Sequence, residues 1–184
     1  MLRNTQTRWG SIAKCFHWTV AIFIFVEFVL GWTAVSLPLS PAKLNLFVWH
    51  KSIGLLVLLI VMLRLGWRLA GPVPQPPITM PRWQQTASLA DHWLQYALML
   101  LLPFSGWIID SAANIPFRAF WLFSPPRLIG PSKLLEEFGK QAHLILSIGL
   151  AGVIVIHVVA ALWHHFVARD NVLRRMLAEG NGTA

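Results

Sequence analysis

Apolar positions along this chain come in long unbroken runs separated by short polar, proline-rich or basic stretches, and the runs have the length of membrane spans. A hydrocarbon core of about 30 Å needs about 20 apolar helical residues. Four runs qualify, at about 15–37, 44–65, 90–109 and 142–167. The first is too long for the apolar region of a signal peptide, and Trp18, Glu27 and Trp32 inside it fit one poorly, so it is expected to be an uncleaved span. Pro38 and Pro41 then predict a short turn. The stretch AGPVPQPPITMPRW, residues 70–83, predicts an extended connector. Pro103 falls inside the third run and is expected to kink it. The segment 110–141, aromatic and proline-rich, is expected to form the longest loop and to lie in the membrane interface.

Composition agrees with this pattern. Of 184 residues, 56% are hydrophobic and only 12% charged, against about 25% charged in ordinary soluble domains. The expected fold is all-α: an integral membrane four-helix bundle, one domain over 1–184. The net charge of +8 would suggest nucleic acid in a soluble protein. Here the basic residues lie between the runs, where topology and anionic lipid account for them. The N-terminus, second connector and tail carry nine Lys and Arg, and the opposite side six. That bias places both termini in the cytoplasm. A single cysteine, Cys15, excludes disulfides, zinc clusters and iron–sulfur clusters within the chain. Cys15 itself is expected to be a buried, inert thiol.

The candidate chemistry lies in the histidines. His143 and His157 stand fourteen residues apart on the fourth run. On a helix that is about 21 Å of rise and about 40° of rotation, so both face one way, one toward each membrane surface. His50 begins the second run at the depth of His143, and His17 begins the first run from the other side. An imidazole inside a bilayer needs a partner, and neutral imidazole is the usual nitrogen ligand of haem iron. Two histidine pairs stacked across a membrane have the layout of a di-haem bundle. His50 and His143 form the outer pair. For the inner pair His17 meets His157, with His164 as the alternative. His164 lies about 31 Å from His143, which would push one haem into the headgroups. His17, close to Lys14, favours that shallower partner unless the first helix starts before Trp9 and the fourth runs past the membrane. His92, beside Asp91, is a weak competitor of His17. With no C-x-x-C-H motif, any haem is held non-covalently.

Other polar positions carry secondary expectations. Glu27, mid-span, is expected to be neutral or paired. It joins His92, His164 and His165 as candidates for quinone contact or proton relay. Lys43, Lys51, Arg118, Arg127, Lys133 and Lys140, partly offset by Glu136 and Glu137, are expected either to anchor lipid phosphates or to draw in a small anion. Gly54, Gly106, Gly149 and Gly152 are candidates for close approach of a porphyrin. Trp18 and Trp163 are candidates for packing near the inner haem.

The sequence resembles the bacterial cytochrome b561 family. The resemblance is carried by FHW at 16–18, HKSIG at 50–54, LPFSG at 102–106 and HVVAALWHHFVARDNVLRRM at 157–176, and spans nearly the whole chain. It implies two haem b groups between four helices, with His17, His50, His143 and His157 as axial ligands to iron. It also implies an oxidoreductase of the bacterial inner membrane that moves electrons from the outer surface to ubiquinone. Superoxide is the expected donor, as in superoxide oxidases. The alternative is a cytochrome b anchor and relay subunit that takes electrons from a separate dehydrogenase or hydrogenase. A haem-free structural or transport bundle is the third possibility. Membrane lipid, ubiquinone and superoxide or a redox protein are the expected partners, with no nucleic acid.

Overall fold

A computed structural model of the chain describes residues 1–77 and 80–177. Ile78 and Thr79, inside the predicted connector, lie outside the described residues. Four helices follow one another: α1 (Ser11–Ser36), α2 (Pro41–Leu69), α3 (Arg82–Ala113) and α4 (Lys133–Phe166), with a 3-10 turn at Arg174–Met176. All four are long and apolar enough to cross a membrane, and among the described residues no strand forms beyond a single bridge, Ala119 to Phe123. The chain folds as a four-helix membrane bundle.

The helices outrun their apolar runs. α3 starts eight residues before the predicted span and α4 nine before it. Hydropathy marks the hydrocarbon, whereas a helix continues as long as its backbone ends are satisfied. At the start of α4 the Ser132 hydroxyl accepts from the Leu135 amide, and at α2 Ser40 accepts from Lys43 with Pro41 opening the helix. The predicted loop at 110–141 is therefore only 114–132. α3 runs unbroken through Pro103.

The first helix does not start before Trp9; it begins at Ser11. Residues 1–10 fold back beneath it instead. The Ser11 amide donates to the Met1 carbonyl and the Gly10 amide to Oδ1 of the buried Asn4. A Cβ at Gly10 would lie 2.3 Å from the Leu2 carbonyl oxygen, so this return requires glycine. The tail closes the same end. Lys14 Nζ donates to the Leu177 carbonyl, Trp18 Nε1 to Met176, and the Arg175 guanidinium to Thr7 and Gln75. The first ten residues and the tail as far as Leu177 thus sit at one end of the bundle. Cys15 is exposed on α1 rather than buried, because its side of the helix points away from the bundle.

The core is a middle layer: Val20 and Ile24 from α1, Val57 and Val61 from α2, Tyr96, Leu98 and Met99 from α3, and Leu150 from α4. Leu150 is seven residues from each of His143 and His157, so this layer separates the two histidine levels. Outward-facing residues such as Ile145, Ile148, Val155 and Val159 are exposed, as lipid-facing positions are. α1 packs on α2, α2 on α3 and α3 on α4. The pairs α1–α4 and α2–α4 have no comparable backbone packing among the described residues.

Candidate functional site

The two unpacked helix boundaries are where the histidines meet. His50 of α2 and His143 of α4 have ring centres 6.2 Å apart. His17 of α1 and His157 of α4 have ring centres 6.3 Å apart. Imidazole nitrogens hold divalent transition metals at about 2.0–2.1 Å. Two rings facing one such ion, with the half-width of each ring added, have centres about 6 Å apart. Each pair therefore has the separation of two rings sharing one metal. Each also spans a gap between helices that a flat macrocycle requires.

Space beside the rings is kept by glycine. A Cβ on Gly31 would stand 3.2 Å from Cε1 of His50, and one on Gly106 would stand 3.4 Å from Cε1 of His143. Of the glycines singled out by sequence, Gly106 borders a histidine, Gly54 faces Glu27, Gly149 faces Leu98, and Gly152 faces open space. Gly31 escaped sequence reasoning; its one signal was its place one turn after Glu27.

The Nδ1 atoms are engaged differently. Ser105 Oγ lies 2.9 Å from Nδ1 of His143 and donates its own proton to the Leu102 carbonyl at 2.7 Å, so it accepts from the ring. Asp91 Oδ2 lies 2.8 Å from Nδ1 of His157. Glu27 Oε2 lies 2.9 Å from Nδ1 of His50. The Ser105 and Asp91 contacts are hydrogen bonds that suit rings whose proton is on Nδ1 and whose Nε2 is free to bind a metal. Glu27 stands at ion-pair distance from His50 Nδ1 without completing a hydrogen bond to it. His17 differs: Arg64 Nη2 lies 3.1 Å from its Nδ1. Arginine can only donate. That contact needs a lone pair on Nδ1, whereas ligation through Nε2 places the proton there. Metal binding by His17 through Nε2 requires Arg64 to turn away.

His92 stands at the side of the inner pair, its ring centre 5.9 Å from that of His157. Donor atoms of Asp91, His92 and His157 all lie within 4.8 Å of one another. His92 comes from α3, which packs directly on α4, so no comparable gap separates these two rings. His164 pairs with Asp170, and Nδ1 of His165 is buried without a partner. A cavity of about 650 Å³ opens at this end, bordered by His17, Arg64, His92, His157 and His164. Trp18 and Trp163 also border it. Trp18 packs edge-on to His17, and Trp163 edge-on to His164.

At the opposite end the expected basic field is smaller than the sequence suggests. Lys51 pairs with Asp110, Lys133 reaches Glu136 at 3.6 Å, and Lys140 bridges Glu136 and Glu137. Lys43 donates to the Leu37 carbonyl and Arg118 to Leu122. Lys43, Arg118 and Arg127 have no carboxylate partner among the described residues.

The profile of the prokaryotic cytochrome b561 family matches residues 8–179. The chain belongs to that family. "Cytochrome b561 homolog 2" of Escherichia coli K12 is 31% identical over 179 residues, covering 97% of this chain and 95% of that protein. "Probable superoxide oxidase CybB" of Yersinia pestis is 30% identical over 171 residues, covering 90% and 93%. "Cytochrome b562" of Cereibacter sphaeroides is 28% identical over 167 residues, covering 88% and 89%. The chain is thus a multi-pass bacterial membrane protein of an electron-transfer family, and membership implies haem b. The two ring pairs and the gaps they span fit such a group.

Proposed function

We infer that this chain is a superoxide:ubiquinone oxidoreductase of the bacterial inner membrane, with both termini cytoplasmic. His50 and His143 would hold an outer haem b, and His17 and His157 an inner one. The observation that carries this reading is the pair of facing rings at each level of α4, 6.2 and 6.3 Å apart across unpacked helix boundaries. When bound, haem iron supplies one-electron redox chemistry that no side chain here provides.

The chain's own residues supply ligation, spacing and exclusion of water. Val57, Val61 and Leu150, almost fully buried, close the space between the two levels to solvent. At the outer surface Lys43, Arg118 and Arg127 favour an anionic donor. The balance is simple: two superoxide anions each lose one electron and leave as dioxygen, while one ubiquinone gains two electrons and two protons. Oxidation of superoxide needs no acid or base, but the quinone needs protons. His92 and His164, both bordering the inner cavity, would pass them. The cavity also borders His17 and His157, so the inner haem would share it. The relative named a probable superoxide oxidase supports the choice of donor.

The test uses the purified chain alone, supplied with enzymatically generated superoxide and a short-chain ubiquinone. Ubiquinol is expected to form without a partner, and superoxide dismutase is expected to suppress it. If quinol appears only after a dehydrogenase or hydrogenase is added, the relay-subunit reading replaces this one.

A further inference from the structure

The four rings differ in what stands behind them, and the difference repeats at both levels. In the outer pair His50 faces a carboxylate, Glu27, and His143 faces a hydroxyl, Ser105. In the inner pair His157 faces a carboxylate, Asp91, and His17 faces a cation, Arg64. Each pair joins one ring backed by a carboxylate to one that is not. A ring N–H held by a carboxylate makes the opposite nitrogen a stronger electron donor. Hydrogen bonding of this kind is one of the levers that set a haem potential.

We propose that Glu27 and Asp91 are positioning residues that hold His50 and His157 in the iron-binding tautomer and lower the reduction potential of the haem each one serves. The proposal rests on the assignment of those rings as axial ligands. Glu27 comes from α1 and His50 from α2, so the contact also fixes the ring across a helix boundary. Gly54 lies beside the carboxylate, where a Cβ would make an ordinary contact at 3.6 Å from Glu27 Oε2. Glu27 Oε1 and His50 Nδ1 are both buried without a hydrogen-bond partner, and Oε2 stands 2.9 Å from Nδ1, so Glu27 acts on this one ring through its charge rather than through a completed hydrogen bond. Asp91 divides its attention: Oδ2 also accepts from Gln95 Nε2 at 2.9 Å. The effect of Glu27 is therefore the larger of the two.

The experiment is a potentiometric titration of the haem-loaded full-length protein in lipid nanodiscs, with haem-to-protein ratios measured alongside. Glu27→Gln keeps an acceptor for the ring N–H but removes the charge. It is expected to retain both haems and raise the outer midpoint by about tenfold in the reduction equilibrium, about 59 mV for one electron. The inner midpoint should stay in place. Asp91→Asn should raise the inner midpoint alone, and by less. Two retained haems with unmoved midpoints would overturn the proposal and leave the ligand assignment intact. Loss of the outer haem from Glu27→Gln would make Glu27 a retention residue and overturn tuning as well. His50→Ala separates the two levels of argument: if it kept both haems with unchanged midpoints, the ligand assignment itself would fall.

Discussion

His17 is the one candidate ligand whose Nδ1 faces a donor, and it sharpens the residue-level predictions. His50→Ala or His143→Ala should remove one haem, and His17→Ala or His157→Ala the other, by haem-to-protein ratio. His164→Ala should keep both, because its imidazole is engaged by Asp170. Arg64→Met should also keep both, since the guanidinium competes with metal for the His17 lone pair. Loss of a haem from Arg64→Met would mean that Arg64 holds the group instead. At this scale the sequence was informative where one helix sets the relation. The spacing from His143 to His157 follows from helical geometry alone. It was silent where two helices set it. Nothing in the string LPFSG says that Ser105 meets His143, or in ADHW that Asp91 meets His157. Those contacts depend on the register of α3 against α4.

Between residue and bundle, the elements show where hydropathy stops being a guide. Apolar runs located all four helices but not their ends, because caps such as Ser40 and Ser132 work outside the hydrocarbon. The outer loop is the second case. Phe120 and Trp121 sit in succession at φ 49° and 59°, a conformation that costs bulky residues about 1–3 kcal/mol each. No sequence rule places two aromatics there; glycine or asparagine would be expected. The loop is held by α2. Ser52 Oγ accepts from the Phe120 amide at 2.8 Å and donates to the Val48 carbonyl at 2.6 Å. Trp49 packs edge-on against both aromatic rings. Ser52→Ala should release this turn at a loss of about 1 kcal/mol for the part-buried amide. Hydrogen exchange at 119–123 should then accelerate while the haem content stays constant. Unchanged exchange would show that the tryptophan contacts suffice.

On the scale of the whole molecule, charge separates the two ends of the bundle, and its size decides what it can do. Six outer Lys and Arg are opposed by Asp110, Glu136 and Glu137, leaving a net three. Acting through water at ~10 Å, three charges favour a monoanion by about twice the thermal energy. The screening length is about 30 Å at 0.01 M salt and about 8 Å at 0.15 M. The outer field should therefore accelerate superoxide capture only modestly, and the second-order rate should fall about 2–3-fold over that range. A fall of a hundredfold would require a focused cationic funnel, which the ion pairs at Lys51 and Lys140 argue against. Arg118→Glu should slow capture at 0.01 M and converge with the parent at high salt, because it acts on encounter rather than on the haem pairs. A rate that ignores both salt and Arg118→Glu would mean that the donor is uncharged or is delivered by a docked protein. The outer end would then be a docking face, as in the relay-subunit reading.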